Sequence, residues 1–308
     1  MVKQMINLID KSINISSISH LYPFKSNFMD KNGLKYHFLD EGKGSPVVMI
    51  HGNPTWSFYF RNLVKALSTK YRIIVPDHIG CGLSDKPDIK TYDYRLKSRV
   101  NDLTSLIEHL KLNEKITLVV HDWGGMIGMA YAVKNPDKIR KIVITNSAAF
   151  FPPEGKHLPL SLKILKNSKI FAAIAVQGFN LFALGALYMA SKKRLTKEVK
   201  KGLTIPYNCW KNRIATLKFV QDIPLTKKDI SYKLVKNVDS NLYRLSLIPM
   251  LICWGEKDFV FDNTYLAEWK NRFPNAIVHS FSDAGHYLIE DMPDEIIPLI
   301  KNFLKNKP

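Results

Sequence analysis

Four short runs of β-branched and other apolar residues most constrain the fold of this chain. They cover residues 47–50, 72–75, 116–120 and 141–144, and each is followed within two residues by Pro, Gly, Asp or Asn. Nearly continuous apolar strands of this kind are typical of a parallel sheet with both faces buried. Residues 94–110 carry apolar side chains at helical spacing, as a surface helix does. The sequence therefore predicts an α/β fold, with a mostly parallel sheet flanked by helices.

The alternation stops after Asn146 and resumes with an apolar strand pattern at residues 250–254. Residues 151–237 contain several helical patterns and no convincing strand, which predicts an inserted helical cap. The expected last elements are a helix over 263–272, a strand over 276–281 and a helix over 289–304. A chain of 308 residues is near the upper limit for one packed core. We therefore expect a core domain of residues 1–150 and 238–308 and a cap domain of residues 151–237.

The composition is that of an ordinary globular protein with a strongly basic charge balance. Lysine and arginine number 45 against 27 aspartates and glutamates, a net charge of +18. The basic residues are scattered without a zinc-finger or RNA-recognition signature, so nucleic-acid binding is not expected. Cys81, Cys209 and Cys253 lack the spacing of a disulfide framework or zinc site, which fits a reducing cytosol. The apolar run in residues 1–10 is too short for a secretion signal, so a cytoplasmic location is expected.

Residues 170–190 form an unusually apolar stretch with lysines on both sides. Only Gln177 and Asn180 are clearly polar, and the length would suffice to span a bilayer. A spanning helix would split the sheet across the membrane, so we interpret the stretch as one or two cap helices with bends at Gly178 and Gly185. Such helices would face both the core and an apolar pocket. Peripheral membrane contact is a further expectation.

The strongest chemical signal is VHDWGG at residues 120–125, a buried strand that runs into a glycine-rich helix start. This is the layout of a nucleophile elbow, a tight turn that presents one side chain above the sheet. The residue presented is Asp122 rather than a serine. A carboxylate attacks an activated sp³ carbon well, which indicates alkyl-ester or ring-opening chemistry. Taken alone, Asp122 could equally be a helix N-cap.

Two later loops supply partners for such a nucleophile. His286 follows the last predicted strand, where the histidine of a triad belongs in the chain order nucleophile, acid, histidine. Asp258 follows the strand at residues 250–254 and would hold the imidazole in one tautomer. Glu256 and Asp283 are competitors for that place.

Donors for a leaving oxyanion are expected around HGNP at residues 51–54. Asn53 offers a side-chain amide and Trp123 an indole N–H. His51 alone would be a buried structural histidine. The sequence has no P-loop, dinucleotide-binding glycine motif or cluster of metal ligands, so neither a cofactor nor a metal is expected.

These motifs carry a resemblance to a known family. HGNP, PDHIGCGLSDKP at residues 76–87, HDWGG and the late histidine together resemble the haloalkane dehalogenase group of α/β-hydrolases, over most of the chain. Four stretches look most like the β-lactone decarboxylases of bacterial long-chain olefin biosynthesis: residues 120–128, 144–150, 210–213 and 219–225. The last two lie in the cap and are the more discriminating.

The resemblance implies roles for the residues named above. Asp122 would be the nucleophile, with His286 and Asp258 as its partners. Asn53 and Trp123 would be the donors to the leaving oxyanion. Some dehalogenases carry a glutamate at the position after the sixth strand, where this sequence has Asn146. The acid is therefore expected at Asp258.

The expected reaction opens a cis-β-lactone by attack of Asp122 on the ring carbon that bears oxygen, followed by loss of CO₂. Attack at the lactone carbonyl, giving a mixed anhydride, is a competing route. A haloalkane dehalogenase is the nearest alternative. An epoxide hydrolase comes third, because it would need Tyr188 and Tyr207 as acids, and a non-catalytic scaffold is a fourth.

The resemblance also implies partners. The substrate would be a hydrophobic small molecule. The protein partners would be β-lactone synthetase and the other enzymes of the olefin pathway.

Overall fold

The computed structural model describes residues 13–306, so the run at residues 1–10 that we assessed as a possible secretion signal lies outside the described residues. Eight strands form one sheet in the order β1-β2-β4-β3-β5-β6-β7-β8. In chain order they are β1 (Asn27–Lys31), β2 (Leu34–Glu41), β3 (Pro46–Ile50), β4 (Arg72–Pro76), β5 (Ile116–Asp122), β6 (Ile139–Ser147), β7 (Met250–Gly255) and β8 (Ile277–Phe281). Only β2 pairs antiparallel, with β1 and β4, and every other neighbour is parallel. This confirms the predicted fold class.

The helices cover both faces of this sheet. In chain order they are α1 (Arg61–Leu67), α2 (Leu96–His109), α3 (Trp123–Lys134), α4 (Leu160–Asn167), α5 (Lys169–Ala172), α6 (Leu181–Met189), α7 (Lys197–Thr204), α8 (Ile214–Gln221), α9 (Tyr232–Asn241), α10 (Asn263–Arg272), α11 (Leu288–Asp291) and α12 (Pro293–Lys305). A π-helical turn, Ala173–Gly178, continues α5. Short 3-10 turns cover Ser16–Ile18, Ser57–Phe60, Pro136–Lys138, Ile205–Tyr207, Lys211–Arg213 and Leu242–Leu245.

Successive residues of the central strands enter different cores, because side chains alternate across a sheet. Val120 packs in one apolar cluster with Ile127 of α3 and Trp269 of α10. Val119 packs in the other with Leu63 of α1 and Ile300 of α12. Burial on both faces explains why these strands read as continuous apolar runs.

Several element predictions need correction. β1 and β2 were missed, and the predicted helix over 94–110 begins only at Leu96 because Tyr94 has a positive φ of 57°. The single helix expected over 289–304 is two helices, α11 and α12, separated at Met292. Met292 precedes Pro293, and the residue before a proline is driven out of the helical conformation.

The described chain between β6 and β7 contains helices α4 to α9 and no strand. Its apolar stretch bends by 71° between Lys169–Gly178 and Leu181–Met189, and within residues 13–306 no single helix is long and apolar enough to cross a bilayer, whereas these two together are. The bend lies at Asn180, which has φ 56°. The expected bend at Gly185 is wrong, because Gly185 lies inside α6.

Candidate active site

Asp122 occupies a strained turn between β5 and α3. Its φ of 51° and ψ of −125° lie outside the ordinary regions for a side chain of this type. The turn is tight because Gly124 packs against β3, where an added Cβ would come within 1.9 Å of the carbonyl oxygen of Ile50. Gly52 in the same way leaves room for the carboxylate, since a Cβ there would lie 2.0 Å from Asp122 Oδ1.

The two oxygens of the Asp122 carboxylate have different surroundings. Oδ1 accepts a hydrogen bond from the backbone N–H of Asn53 at 2.7 Å, and the carboxylate is also bonded by the backbone N–H of Trp123. Oδ2 lies 3.6 Å from Nε2 of His286. Burial raises the pKa of Asp122, and these neighbours offset the effect only in part. Oδ2 is therefore the oxygen placed to attack a substrate.

His286 and Asp258 form a buried pair beside Asp122. Nδ1 of His286 donates to Oδ2 of Asp258 at 2.7 Å, which directs Nε2 toward Asp122. Burial opposes the charge on His286, but the carboxylates of Asp258 and Asp122 outweigh it and the pKa of His286 is raised. The competing acid Asp283 is instead an exposed partner of Lys257. The structure thus brings Asp122, His286 and Asp258 together.

Asn146 holds Asp258 in place, a role that the sequence analysis did not assign. Its amide nitrogen donates to Asp258 Oδ2 and to the carbonyl of Gly255, each at 3.0 Å, and its Oδ1 accepts from the N–H of Gly255. The other oxygen of Asp258 accepts the backbone N–H groups of Val260 and Phe261. A polar residue at the end of a strand was the available signal, but its partner is far away in sequence.

His121 is a second contributor that sequence reasoning missed. Its ring lies 4.7 Å from that of His286 and stacks on Tyr59. Nδ1 donates to the carbonyl of Thr145, so Nε2 carries no proton and is buried without a partner. Burial, and then His286, hold the pKa of His121 far below its usual range. The ring is therefore a neutral wall against the imidazole of His286.

Asn53 and Trp123 both line the cavity above Asp122. The Asn53 amide nitrogen donates to the carbonyl of Thr216 at 3.1 Å and keeps a second hydrogen, while its Oδ1 is buried and unpartnered. The Trp123 indole packs against Phe219. His51 is fully buried and bonded to the backbone of Gly52 and His78, as a structural histidine is.

The cavity has a volume of about 360 Å³ and an overwhelmingly apolar wall. Its polar members include Asn53, Asp122 and His286. The stretch at residues 170–190 supplies much of the wall, through Ala175, Val176, Leu181, Phe182, Gly185, Ala186, Met189 and Ala190. Neither tyrosine considered for epoxide chemistry lines it. Tyr188 is exposed, and Tyr207 is buried with its hydroxyl on the carbonyl of Thr55.

The described part of the chain holds no group of three His, Cys, Asp or Glu side chains that could bind a metal ion. All three cysteines lie in this part, buried and outside any disulfide. What the site offers is a buried carboxylate in a strained turn, an imidazole whose pKa is raised, and neutral N–H donors, all lining an apolar cavity.

Comparison with known proteins identifies relatives along nearly the whole chain. The chain is 51% identical over 285 residues to the cis-3-alkyl-4-alkyloxetan-2-one decarboxylase of Shewanella oneidensis, covering 92% of this chain and 89% of that relative. It is 41% identical over 295 residues to the protein of the same name from Xanthomonas campestris pv. campestris, covering 93% and 98%.

Among solved structures, the haloalkane dehalogenase DatA from Agrobacterium tumefaciens C58 matches with a TM-score of 0.80 and 25% identity, over 91% of this chain and 96% of that chain. Residues 45–293 also match the family described as the α/β hydrolase fold. The family resemblance inferred from the motifs is thereby confirmed, and the chain belongs to the α/β-hydrolase fold family.

Proposed function

We propose that this enzyme is a β-lactone decarboxylase, which converts a cis-3,4-dialkyl oxetan-2-one into a cis-alkene and CO₂. One observation carries the proposal: the elbow presents a carboxylate, Asp122, to an apolar cavity. The names of the relatives at 51% and 41% identity support the same substrate class. An apolar wall suits a substrate with two alkyl arms and one small polar ring.

In the first step Oδ2 of Asp122 attacks the ring carbon that bears oxygen. The carbon–oxygen bond of the strained ring breaks, and the substrate becomes an alkyl ester of Asp122 with a free carboxylate. The side-chain N–H of Asn53 and the indole N–H of Trp123, both of which line the cavity, would donate to this carboxylate. Hydrogen bonds to a charged acceptor in a water-poor cavity are strong, which favours opening.

In the second step the bond from the neighbouring carbon of the former ring to the carboxylate breaks, and its electrons form the alkene between that carbon and the one esterified to Asp122. The bond to Asp122 breaks at the same time, so Asp122 leaves as a carboxylate and CO₂ is released. Inversion in the first step followed by anti elimination converts a cis-lactone into a cis-alkene. No water, oxidant or cofactor is consumed.

His286 would act in this sequence through its charge. Its Nε2 lies 3.6 Å from Oδ2 of Asp122, and its raised pKa favours the imidazolium. A positive charge there stabilises the Asp122 carboxylate as it leaves. A hydrolase would instead need the neutral imidazole as the base that activates water.

The direct test is to incubate the purified protein with a cis-dialkyl β-lactone and, separately, with 1-bromobutane. We expect cis-alkene and CO₂ from the lactone and no bromide from the haloalkane. Bromide release with no alkene would overturn the proposal in favour of a haloalkane dehalogenase.

Turnover in ¹⁸O-labelled water tests the fate of the enzyme ester. Decarboxylation releases Asp122 without hydrolysis, so mass spectrometry of the peptide containing Asp122 should show no added label. Wild-type protein incubated in parallel without lactone reports background exchange at Asp122. Stoichiometric label at Asp122, with a hydroxy acid as main product, would mean that the ester is hydrolysed.

A further inference from the structure

The helices that wall the cavity are apolar on their outer side as well. On α5 and its π-helical continuation, Ile170, Phe171 and Ile174 point to solvent, with Phe179 just beyond. Helices on a protein surface normally direct charged or polar side chains outward. Among the described residues 13–306, most of the exposed large apolar side chains fall within residues 160–210.

The second helix repeats the pattern. Leu181, Leu184 and Tyr188 follow the spacing of one helix face, and Tyr188 is 72% exposed. On the opposite side Ala183 and Leu187 are buried in the protein. We call the outward side chains of both helices, together with those of α4, the apolar cap face: Leu160, Ile164, Ile170, Phe171, Ile174, Phe179, Leu181, Leu184, Tyr188 and Met189. Large apolar side chains exposed together on neighbouring helices mark an interaction site.

Positive charge accompanies this face. Residues 160–201 contain nine lysines and arginines and one acidic residue, Glu198. Lys192, Lys193 and Arg194 are exposed directly after α6, and the ammonium of Lys200 lies 4.3 Å from the ring centre of Tyr188. Lysine-flanked apolar helices match the interface of an anionic bilayer, where acyl chains lie beneath a negative surface.

The wall of the cavity and the apolar cap face share residues. Leu181 and Met189 line the cavity and are also about half exposed, so they belong both to the cavity wall and to the apolar cap face. An occupant of the face would thus lie against the wall of the cavity.

We propose that the apolar cap face docks on the surface of an anionic lipid bilayer, with α5 and α6 lying in the interface and the cavity opening toward the acyl chains. The 71° bend between the helices fits a pair that lies on the membrane rather than crossing it. If the proposed function also holds, the dialkyl lactone can enter and the alkene leave without passing through water.

Flotation with lipid vesicles tests this docking without any substrate, so the result is independent of the reaction. The full-length protein is mixed with vesicles of phosphatidylcholine alone or with about 30% phosphatidylglycerol. We expect flotation with the anionic vesicles, and release as salt rises from about 0.1 M to about 1 M, because salt screens the lysines. No flotation at low salt, or a protein that stays with the vesicles at high salt as an inserted span would, overturns the proposal.

A pair of matched variants locates the contact. Ile170→Asp with Phe179→Asp should weaken vesicle binding at least about tenfold, since each removes a large apolar side chain and adds a charge. Leu247→Asp with Tyr243→Asp adds the same charge at exposed apolar residues of the core and should bind nearly as wild type does. Circular dichroism checks that both fold.

Equal loss in the two variants would show that net charge alone drives binding, and would overturn the assignment of the face. Sedimentation equilibrium tests whether a second copy of the chain, instead of a membrane, occupies the apolar cap face. A dimer that dissociates in the Ile170→Asp, Phe179→Asp variant, without vesicle flotation of the wild type, would assign the face to a second copy of the chain.

Discussion

Oδ1 of Asp122 accepts the backbone N–H of Asn53, and Oδ2 faces His286 across 3.6 Å. Asp122→Asn keeps the size and the N–H contacts and removes the nucleophile. We expect alkene formation to fall below about a hundredth of wild type, because loss of a covalent nucleophile costs far more than that. Product assays by gas chromatography measure it.

The control for Asp122→Asn is Asp283→Asn, which changes an exposed carboxylate that contacts Lys257. It should keep wild-type activity, and circular dichroism should show both variants folded. Residual activity of Asp122→Asn above about a hundredth would remove Asp122 from the role of nucleophile.

The pH dependence of kcat/KM follows from the ionisation of Asp122 and His286. Asp122 must be ionised to attack, so activity is lost as the pH falls through its pKa, which burial raises above that of an ordinary aspartate. The positive charge on His286 is lost as the pH rises through its own raised pKa. We expect a bell-shaped profile whose alkaline limb lies above about pH 6.5.

A profile of kcat/KM against pH with a cis-lactone checks this expectation. His286→Gln removes the titrating charge and should abolish the alkaline limb while leaving the acid limb. Activity that rises with deprotonation of His286 would instead identify the imidazole as a base, as in a hydrolase.

Gly185 of helix α6 leaves space in the cavity because it lines the wall without a side chain. An added Cβ at Gly185 meets no atom within 4 Å, and the residue lines the cavity. Gly185→Leu should therefore fold and fill the space for an alkyl arm. We expect KM for long-chain lactones to rise more than tenfold, each excluded methylene being worth about 0.8 kcal/mol, while short-chain lactones are little affected.

Gly185→Ala is the matched control for this substitution. It should leave the chain-length preference unchanged and stabilise the protein by about 0.5–1 kcal/mol, since alanine suits a helix better than glycine. Equal effects of Gly185→Leu on short and long substrates would contradict the placement of an alkyl arm against α6.

The burial of each strand's two faces decided which strands could be predicted from the sequence. The central strands β3 to β7 were recognised because both of their faces are buried, which leaves an uninterrupted apolar run. Polar and charged residues interrupt the apolar residues of β1 and β2, which pair antiparallel at the edge of the sheet, so their sequence pattern is weak. Asp122, His286 and Asp258 could be singled out because each lies at the end of a strand or in the loop after one. Asn146 and His121 were not, since their partners are set by tertiary packing.

The stability of the whole molecule should depend on pH through Asp77. Its carboxylate accepts the N–H groups of Ser57 and Leu83 and pairs with His37 of β2 at 2.8 Å. Burial alone would raise the pKa of Asp77, but His37 and these donors outweigh it and hold the pKa well below the usual range. A carboxyl with a depressed pKa stabilises the fold above its unfolded pKa of about 3.9 and loses that contribution as the pH falls.

Asp77→Asn should lower the free energy of unfolding at pH 7 by about 3 kcal/mol, because it leaves a buried imidazole without its charged partner. The difference from wild type should shrink as the pH falls from about 5 toward 3. Urea denaturation at each pH measures it, with Asp283→Asn as an exposed control. A difference that stays constant down to pH 3 would contradict a role of the ionised carboxylate.

The helical segment between β6 and β7 has a consequence for the order in which the chain is made. The neighbouring strands β6 and β7 are separated by about a hundred residues of chain. A growing chain must therefore close a long loop before β7 can pair with β6. Asp122 leaves the ribosome early, whereas Asp258 and His286 follow only after the helices that wall the cavity. During synthesis Asp122 is therefore without the imidazole of His286 until residue 286 has emerged.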